Sequence, residues 1–128
     1  MLAPAGSTTV LVVEDDPATR ELYRAALVAA RYEVVIATDG LSALTLIDRQ
    51  LPDVIVLDLG LPRVTGWDVY RDLRARPETE ALPVIIATGS EPRDIREEDV
   101  AAFLRKPVDP DALASAVDQA VRSIRTTL

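Results

Sequence analysis

The sequence predicts an α/β domain in which helices cover both faces of a parallel five-stranded sheet. Five short apolar runs alternate with five helical segments along the chain. This alternation is typical of a parallel sheet, because each crossover between parallel strands needs a connecting helix. The length of 128 residues fits one domain, and 48% apolar residues favour a packed core over disorder.

The first half of the chain supplies three strands and two helices. Strands are predicted at 10–13, 34–37 and 54–57, where Val, Ile and Leu dominate. Asp16 is the expected N-cap of a helix that begins at Pro17, and Asp39-Gly40 opens the next helix. The expected inner face of the first helix is formed by Leu22, Ala25, Ala26 and Ala29, and that of the second by Leu41, Leu44 and Ile47.

The second half begins with a capping-box pattern, in which Thr65 is followed three residues later by Asp68. Strands are predicted at 84–87 and 102–105. The charged, poorly periodic stretch 91–99 is expected to hold one or two helical turns at most. A last helix begins at Pro110 behind Asp109, and its expected inner face consists of Leu113, Val117, Ala120, Val121 and Ile124.

Composition excludes several classes of function. A net charge of −7 argues against nucleic acid or anionic lipid as a direct partner. The absence of Cys and His excludes disulfides, Ser-His-Asp triads and most transition-metal sites. No apolar run is long enough to span a bilayer and the start lacks a basic secretory signal, so we expect a cytoplasmic protein.

Polar residues follow four of the predicted strands at the point where each strand ends. Glu14 and Asp15 follow the first strand, Asp58 the third, Thr88 the fourth and Lys106 the fifth; Lys106 is also the single lysine of the chain. Because the carboxyl ends of parallel strands meet at one edge of a sheet, we expect these side chains to share one crevice.

Three carboxylates in one crevice need a cation, and an all-oxygen site favours Mg²⁺, Mn²⁺ or Ca²⁺. Lys106 and the Thr88 hydroxyl add a cation and a donor for phosphoryl oxygens. The set therefore predicts a phosphoryl-transfer site that acts by positioning and electrostatics. Each residue alone also fits a structural explanation, such as a helix cap or a solvated lysine, so the prediction depends on the four positions together.

Four segments resemble the receiver domain of two-component response regulators: VLVVEDDP (10–17), VIVLDLGLPRVTG (54–66), PVIIATGS (83–90) and FLRKP (103–107). The resemblance implies a flavodoxin-like (βα)5 three-layer sandwich with strand order 2-1-3-4-5. It places the receiver domain at residues 8–126, behind a flexible lead-in of residues 1–7. Mg²⁺ is the implied cofactor.

The resemblance also implies a role for each site residue. Asp58 corresponds to the phosphoacceptor and also to a metal ligand. Asp15 corresponds to a direct Mg²⁺ ligand, Glu14 to an acid that acts mainly through water, and Gly60 to a ligand through its backbone carbonyl.

The remaining implied roles concern the phosphoryl group and the switch. Thr88 and Lys106 would contact the phosphoryl group, while Thr88 and Phe103 would form the conformational switch.

Two features depart from the family pattern. Thr65 stands where an Asp is common before the glycine that opens the third helix. Lys106 follows Thr88 by only eighteen positions, which shortens the fourth-helix region on the usual output face.

The implied function is phosphoryl transfer from a histidine kinase or histidine phosphotransfer protein, followed by signalling to an unknown downstream protein. Self-phosphoryl transfer and autodephosphorylation would be the only catalysis, and the protein would be a monomer or weak homodimer. The main alternative is a phosphorylation-independent receiver-like adaptor, which the shortened region favours. A haloacid-dehalogenase-type phosphatase is disfavoured because the acid pair comes first, and a topoisomerase-primase fold because an Asp-x-Asp pair is missing.

Overall fold

A five-stranded parallel sheet forms the centre of the protein. The computed structural model describes residues 7–89 and 95–126; the expected lead-in, apart from Ser7, lies outside these ranges. The strands are β1 (Thr9–Val13), β2 (Glu33–Ala37), β3 (Val54–Leu57), β4 (Val84–Thr88) and β5 (Ala102–Arg105). Their order across the sheet is β2-β1-β3-β4-β5, which confirms the expected order.

Four α-helices cover the sheet in two layers. They are α1 (Pro17–Ala29), α2 (Gly40–Arg49), α3 (Gly66–Ala75) and α4 (Pro110–Thr126). One layer contains α1 and α4, and the other contains α2 and α3. In the described part of the chain no helix is both long and apolar enough to cross a bilayer.

The shortened region between β4 and β5 contains a single 3-10 turn, Glu97–Asp99, within the described residues. The predicted segment 91–99 lies partly outside the described ranges, up to residue 94. The side chains of this turn are exposed and acidic, so it has no apolar face to dock on the sheet. A single turn without such a face gains little from helix formation. Ile95 and Val100, on either side of the turn, pack against the α2–α3 side of the core.

Side-chain caps start three helices where the sequence predicts them. Asp16 accepts from the backbone N–H of Thr19 at 2.9 Å, and Asp39 accepts from that of Ser42 at 2.8 Å. Thr65 and Asp68 form the predicted capping box at the start of α3. These caps satisfy helix N–H groups that have no intrahelical partner.

The inner face of α1 differs from the prediction. Tyr23 and Leu27 are buried, whereas Leu22 is 46% exposed and Ala25 and Ala29 are also exposed. The helix carries two apolar stripes, and the stripe with the larger side chains buries more apolar surface against the sheet. The predicted inner face of α1 is therefore wrong except for Ala26, which is half-buried.

Two single positions also differ from the predicted inner faces. Leu41, in the first turn of α2, is 64% exposed and Ala43 is buried instead, whereas the predicted Ile47 is buried and Leu44 is half-buried against the core. Ile124, near the end of α4, is 38% exposed, while the other four predicted positions of that helix are buried. Both residues lie close to a helix end.

The C-terminus of α1 ends in a left-handed residue. Arg31 has φ of 73°, and its N–H donates to the carbonyl of Val28 at 2.9 Å. The next N–H, of Tyr32, donates to the carbonyl of Leu27 at 3.0 Å. This is a Schellman motif, whose left-handed position is usually glycine because other residues are strained there.

Replacing Arg31 with glycine should therefore raise the free energy of unfolding. The relief of strain exceeds the added entropy of the unfolded chain, and we expect a gain of about 0.5 to 1 kcal/mol. Urea denaturation would measure it. The matched control is Arg122→Gly in the exposed interior of α4, which should lose about 1 kcal/mol. A loss at both positions would contradict the strain argument.

Candidate functional site

The sheet register places the predicted site residues side by side at its carboxyl edge. Val13 of β1 pairs with Leu57 of β3, so the following residues Glu14 and Asp58 are neighbours on adjacent strand ends. The N–H of Asp58 donates to the carbonyl of Val13 at 3.2 Å and so extends the ladder by one bond.

The fourth and fifth strands end in the same way. Thr88 pairs with Arg105 across β4 and β5, and the N–H of Lys106 donates to the Thr88 carbonyl at 3.0 Å. The backbone of the site is therefore fixed by sheet hydrogen bonds on both sides. This placement follows from the parallel topology and the strand ends read in the sequence.

Strand alternation assigns the site residues to the two faces of the sheet. Side chains of a strand alternate between faces. In β1, β3 and β5 the even-numbered side chains pack on the α1–α4 side: Val10, Val12, Val54, Val56, Ala102 and Leu104. Glu14, Asp58 and Lys106 continue these even positions. Thr88 instead continues the positions of Val84 and Ile86, which pack on the α2–α3 side.

Lys106 joins two buried carboxylates. Its Nζ lies 2.8 Å from Glu14 Oε1 and 3.2 Å from Asp58 Oδ2. Glu14 is 1% exposed and the Asp58 side chain 8%, whereas the lysine side chain is 26% exposed. The ammonium group is thus the cation that neutralises these acids in the described structure, and it enters from the solvent side.

Asp15 completes a cluster of three carboxylates. One carboxylate oxygen from each of Glu14, Asp15 and Asp58 lies within 4.8 Å of the others. Asp15 is exposed, while the other two are buried. The cluster therefore has one open side toward solvent.

Burial and charge move the pKa values of the pair in the same direction. Burial raises the pKa of Glu14, and this effect outweighs the Lys106 ammonium and the Asp16 N–H, which lower it. Burial lowers the pKa of Lys106, but Glu14 and Asp58 outweigh it and raise the value overall. The lysine is held charged, whereas the buried glutamate is disfavoured in its charged form.

The residues fit a hard divalent cation such as Mg²⁺. All side-chain donors of the cluster are carboxylate oxygens, which Mg²⁺ prefers, and the exposed side leaves room for water and phosphate. Glu14 Oε1 is buried, and its only partner among the described residues is the Lys106 ammonium at 2.8 Å. Gly60 is exposed next to the cluster, and its N–H donates to Asp58 Oδ1 at 3.1 Å.

The predicted switch residues lie on the opposite face of the sheet from the ion pair. Phe103 is half-buried against the α2–α3 core and pairs with Ile86, two residues before Thr88. Thr88 is 4% exposed. Both residues are therefore close to the carboxyl edge of the sheet and to the shortened region.

Three residues that shape the site were not predicted from the sequence. The Arg20 guanidinium lies 3.4 Å from the carbonyls of both Glu14 and Asp15, one helical turn beyond the acid pair. Tyr23 is buried in α1 on the side of the sheet that the ion pair occupies. Gly66 lies against the backbone of Asp58. Of the three, only Gly66 could have been found in the sequence, because it is the last residue of the receiver-like segment 54–66.

Glu14→Gln should stabilise the protein at neutral pH. The pKa of Glu14 is higher in the folded than in the unfolded chain, so the ionised form opposes folding above that pKa. The cost disappears as pH falls below the ordinary value of 4.5, because Glu14 is then protonated in both states. The advantage of Gln should therefore be largest near neutral pH and shrink on acidification.

Urea denaturation across pH would measure this difference, with Glu33→Gln on the exposed edge strand as the matched control. A less stable Glu14→Gln variant at neutral pH would mean that the ion pair with Lys106 outweighs burial.

Gly66→Ala should disturb Asp58 directly. A Cβ at Gly66 would lie 2.0 Å from the carbonyl oxygen of Asp58 and 2.6 Å from the Cα of Leu59. Backbone atoms must move, so we expect a loss of about 2 to 3 kcal/mol in the free energy of unfolding. The control is Gly89→Ala beside Thr88, where nothing described lies within 4 Å of the added Cβ. Equal stability of the two variants would contradict this account.

Comparison with known proteins supports the resemblance to receiver domains. The profile of the response regulator receiver domain matches residues 10–118. The chain is 38% identical over 120 residues to the response regulator PleD of Caulobacter vibrioides, covering 91% of this chain and 26% of PleD. It is 35% identical over 120 residues to the response regulator MprA of Mycobacterium leprae, covering 88% of this chain and 50% of MprA.

A solved structure agrees. The chemotaxis response regulator CheY4 of Vibrio cholerae superposes with a TM-score of 0.79 at 26% identity, over 89% of this chain and 98% of CheY4. The chain spans about a quarter of PleD and half of MprA, so the similarity concerns their receiver portions. On these grounds the chain belongs to the response regulator receiver domain family.

Proposed function

We propose that this receiver domain accepts a phosphoryl group on Asp58, with Mg²⁺ bound by the adjacent acids, and changes its surface to signal to a partner protein. The observation that carries the proposal is the setting of the Asp58 carboxylate. Oδ2 faces the Lys106 ammonium at 3.2 Å, Oδ1 accepts from the Gly60 N–H at 3.1 Å, and two further carboxylates complete a cation-sized cluster.

Electrostatic repulsion within the acid cluster explains why Asp58 needs a cation beside it. Two carboxylates about 4 Å apart repel by roughly 4 kcal/mol at an effective dielectric constant near 20. A phosphoryl donor is itself anionic and would be repelled from the same crevice. Mg²⁺, when bound, would supply the positive charge that offsets both repulsions, held by Asp15, Asp58, the Gly60 carbonyl and, through water, Glu14.

In the transfer step, a carboxylate oxygen of Asp58 attacks phosphorus while the bond from phosphorus to the donor histidine nitrogen breaks. The electron pair of that bond stays on the imidazole, and Asp58 becomes an acyl phosphate. The chain contains no histidine, so we assign the donor to a histidine kinase or phosphotransfer protein. Lys106 and the Thr88 hydroxyl then hold the phosphoryl oxygens.

The approach to Asp58 is open. A Cβ at Gly60 would meet only Asp58 Oδ1, at 3.7 Å, which is ordinary contact, and Gly60 has none. The donor and later a hydrolytic water can therefore reach this side of the carboxylate. In this proposal the domain acts on no external substrate, and its chemistry is limited to phosphorylation and dephosphorylation of Asp58.

Thr88 and Phe103 transmit the change at Asp58 to the surface of the protein. A dianionic group on Asp58 is a new charge that the Thr88 hydroxyl can bind, and Phe103 is close enough along the paired strands to follow. Residues on β5 and the adjoining surface would then present a different face to a downstream protein. We place the protein in the cytoplasm with its donor, as a monomer or weak homodimer.

The test is intact mass after incubation with a small-molecule acyl phosphate in Mg²⁺. We expect one added phosphoryl group on the native chain, none on Asp58→Asn, and none after Mg²⁺ is chelated. The matched control is Asp72→Asn on α3, whose carboxylate pairs with Arg76 and not with the site; it should label like the native chain.

An adduct on Asp58→Asn would move the acceptor elsewhere. If Mg²⁺ binding is verified by Trp67 fluorescence and no adduct forms on the native chain, the phosphorylation-independent adaptor becomes the better description. The shortened region between β4 and β5 is the feature that favours that alternative.

A further inference from the structure

Core packing explains the buried ring of Tyr23 but not its buried hydroxyl. The residue is 1% exposed, and its hydroxyl has no hydrogen-bond partner among the described residues. Buried tyrosine hydroxyls usually find a partner, and an unsatisfied one in a folded protein calls for an explanation. A phenylalanine or leucine would fill the same space without burying a polar atom.

The position of Tyr23 on α1 directs its hydroxyl toward the Lys106 ion pair from the α1–α4 side of the sheet. Helix α1 starts at the carboxyl edge of the sheet, and Tyr23 is its seventh residue. Side chains of a helix lean toward its N-terminus, so the phenol extends back toward that edge. Tyr23 packs in the same layer as Val12 and Val56, whose strand faces continue to Glu14 and Asp58.

The charges of the site reach the hydroxyl. Burial raises the pKa of Tyr23 to about 12; the Lys106 ammonium opposes this rise, and the carboxylates of Glu14 and Asp58 add to it. The phenol therefore remains protonated at neutral pH and is a hydrogen-bond donor. The negatively charged hydrogen-bond acceptors near it are the buried carboxylates of Glu14 and Asp58.

Glu14 is the acceptor that depends on Lys106. Among the described residues, its Oε1 has the Lys106 ammonium at 2.8 Å as its sole partner. Its Oε2 accepts only weakly, from the Asp16 N–H at 3.2 Å. The same ammonium also serves Asp58 and, under the proposed function, must turn to the phosphoryl group. Glu14 would then be a buried charge without its main partner.

We propose that Tyr23 is a positioning residue that donates a hydrogen bond to Glu14 when Lys106 turns away from it. The proposal rests on the proposed function for its purpose, since the phosphoryl group draws Lys106 away. The contact itself depends only on the absence of the ammonium from Glu14, and it can be tested without phosphorylation.

A double-mutant cycle in unfolding tests the contact. In the native background, Tyr23→Phe should leave the unfolding equilibrium constant unchanged within about twofold or lower it, because the hydroxyl has no partner to lose. In a Lys106→Met background, where Glu14 has lost its cation, the same change should raise that constant roughly tenfold. Tyr70→Phe on α3, on the other face of the sheet, is the matched control and should show no coupling to Lys106.

Additive effects of Tyr23→Phe and Lys106→Met would overturn the contact. A clear loss of stability from Tyr23→Phe in the native background would also overturn it, because the hydroxyl would then already be engaged at rest.

A second measurement tests the purpose and covers the case in which Lys106→Met does not fold. Beryllofluoride, a phosphoryl mimic, is titrated in Mg²⁺ and followed by Trp67 fluorescence. We expect roughly tenfold weaker binding to Tyr23→Phe than to the native chain, and unchanged binding to Tyr70→Phe.

The outcomes separate the two proposals. Tight beryllofluoride binding by both the native chain and Tyr23→Phe would overturn the role of Tyr23 and leave the proposed function intact. No beryllofluoride binding by the native chain, together with no phosphoryl adduct, would overturn the proposed function and the purpose of Tyr23, while a coupled cycle would still support the contact.

Discussion

The ion pair between Lys106 and the buried acids Glu14 and Asp58 is the interaction on which the rest of the site depends. Two carboxylates on adjacent strand ends are 1% and 6% exposed, and burial of such charges is costly without a partner. The lysine follows β5, which lies two strands from β3 and three from β1, so the order β1-β3-β4-β5 is what brings the charges together. The hydrogen-bonded strand ends, the Asp16 cap and the contact of Gly66 with the Asp58 backbone then hold these groups in place.

Much of this arrangement could be predicted from the sequence because it follows from local rules. Short apolar runs define the strands, and caps such as Asp39 and the Thr65–Asp68 pair define helix starts. Parallel topology then collects the strand ends at one edge, which is why the sequence alone predicts that Glu14 and Asp58 lie together. The strand order came from the family resemblance, since alternation alone allows several orders.

The rest depended on tertiary packing. Helix α1 offers two apolar stripes, and nothing in the periodicity says that Tyr23 and Leu27 face the sheet while Leu22 faces solvent. The burial of Tyr23 in turn places a hydroxyl in the core layer that packs on Val12 and Val56, two residues before the acids. The choice of Glu14 as the closer partner of Lys106, at 2.8 Å against 3.2 Å for Asp58, is a matter of tenths of an ångström that residue spacing does not encode.

All other basic side chains of the chain are arginines, so the ion pair holds its single side-chain amine. Arginine guanidinium groups do not react with amine-directed acylating or methylating reagents under mild conditions. The Lys106 side chain is 26% exposed, so it can be reached by such reagents but is shielded by its two acids. No other side chain competes for such a reagent, so once the N-terminal α-amine is counted separately, the rate at which Lys106 reacts reports how tightly the acids hold it.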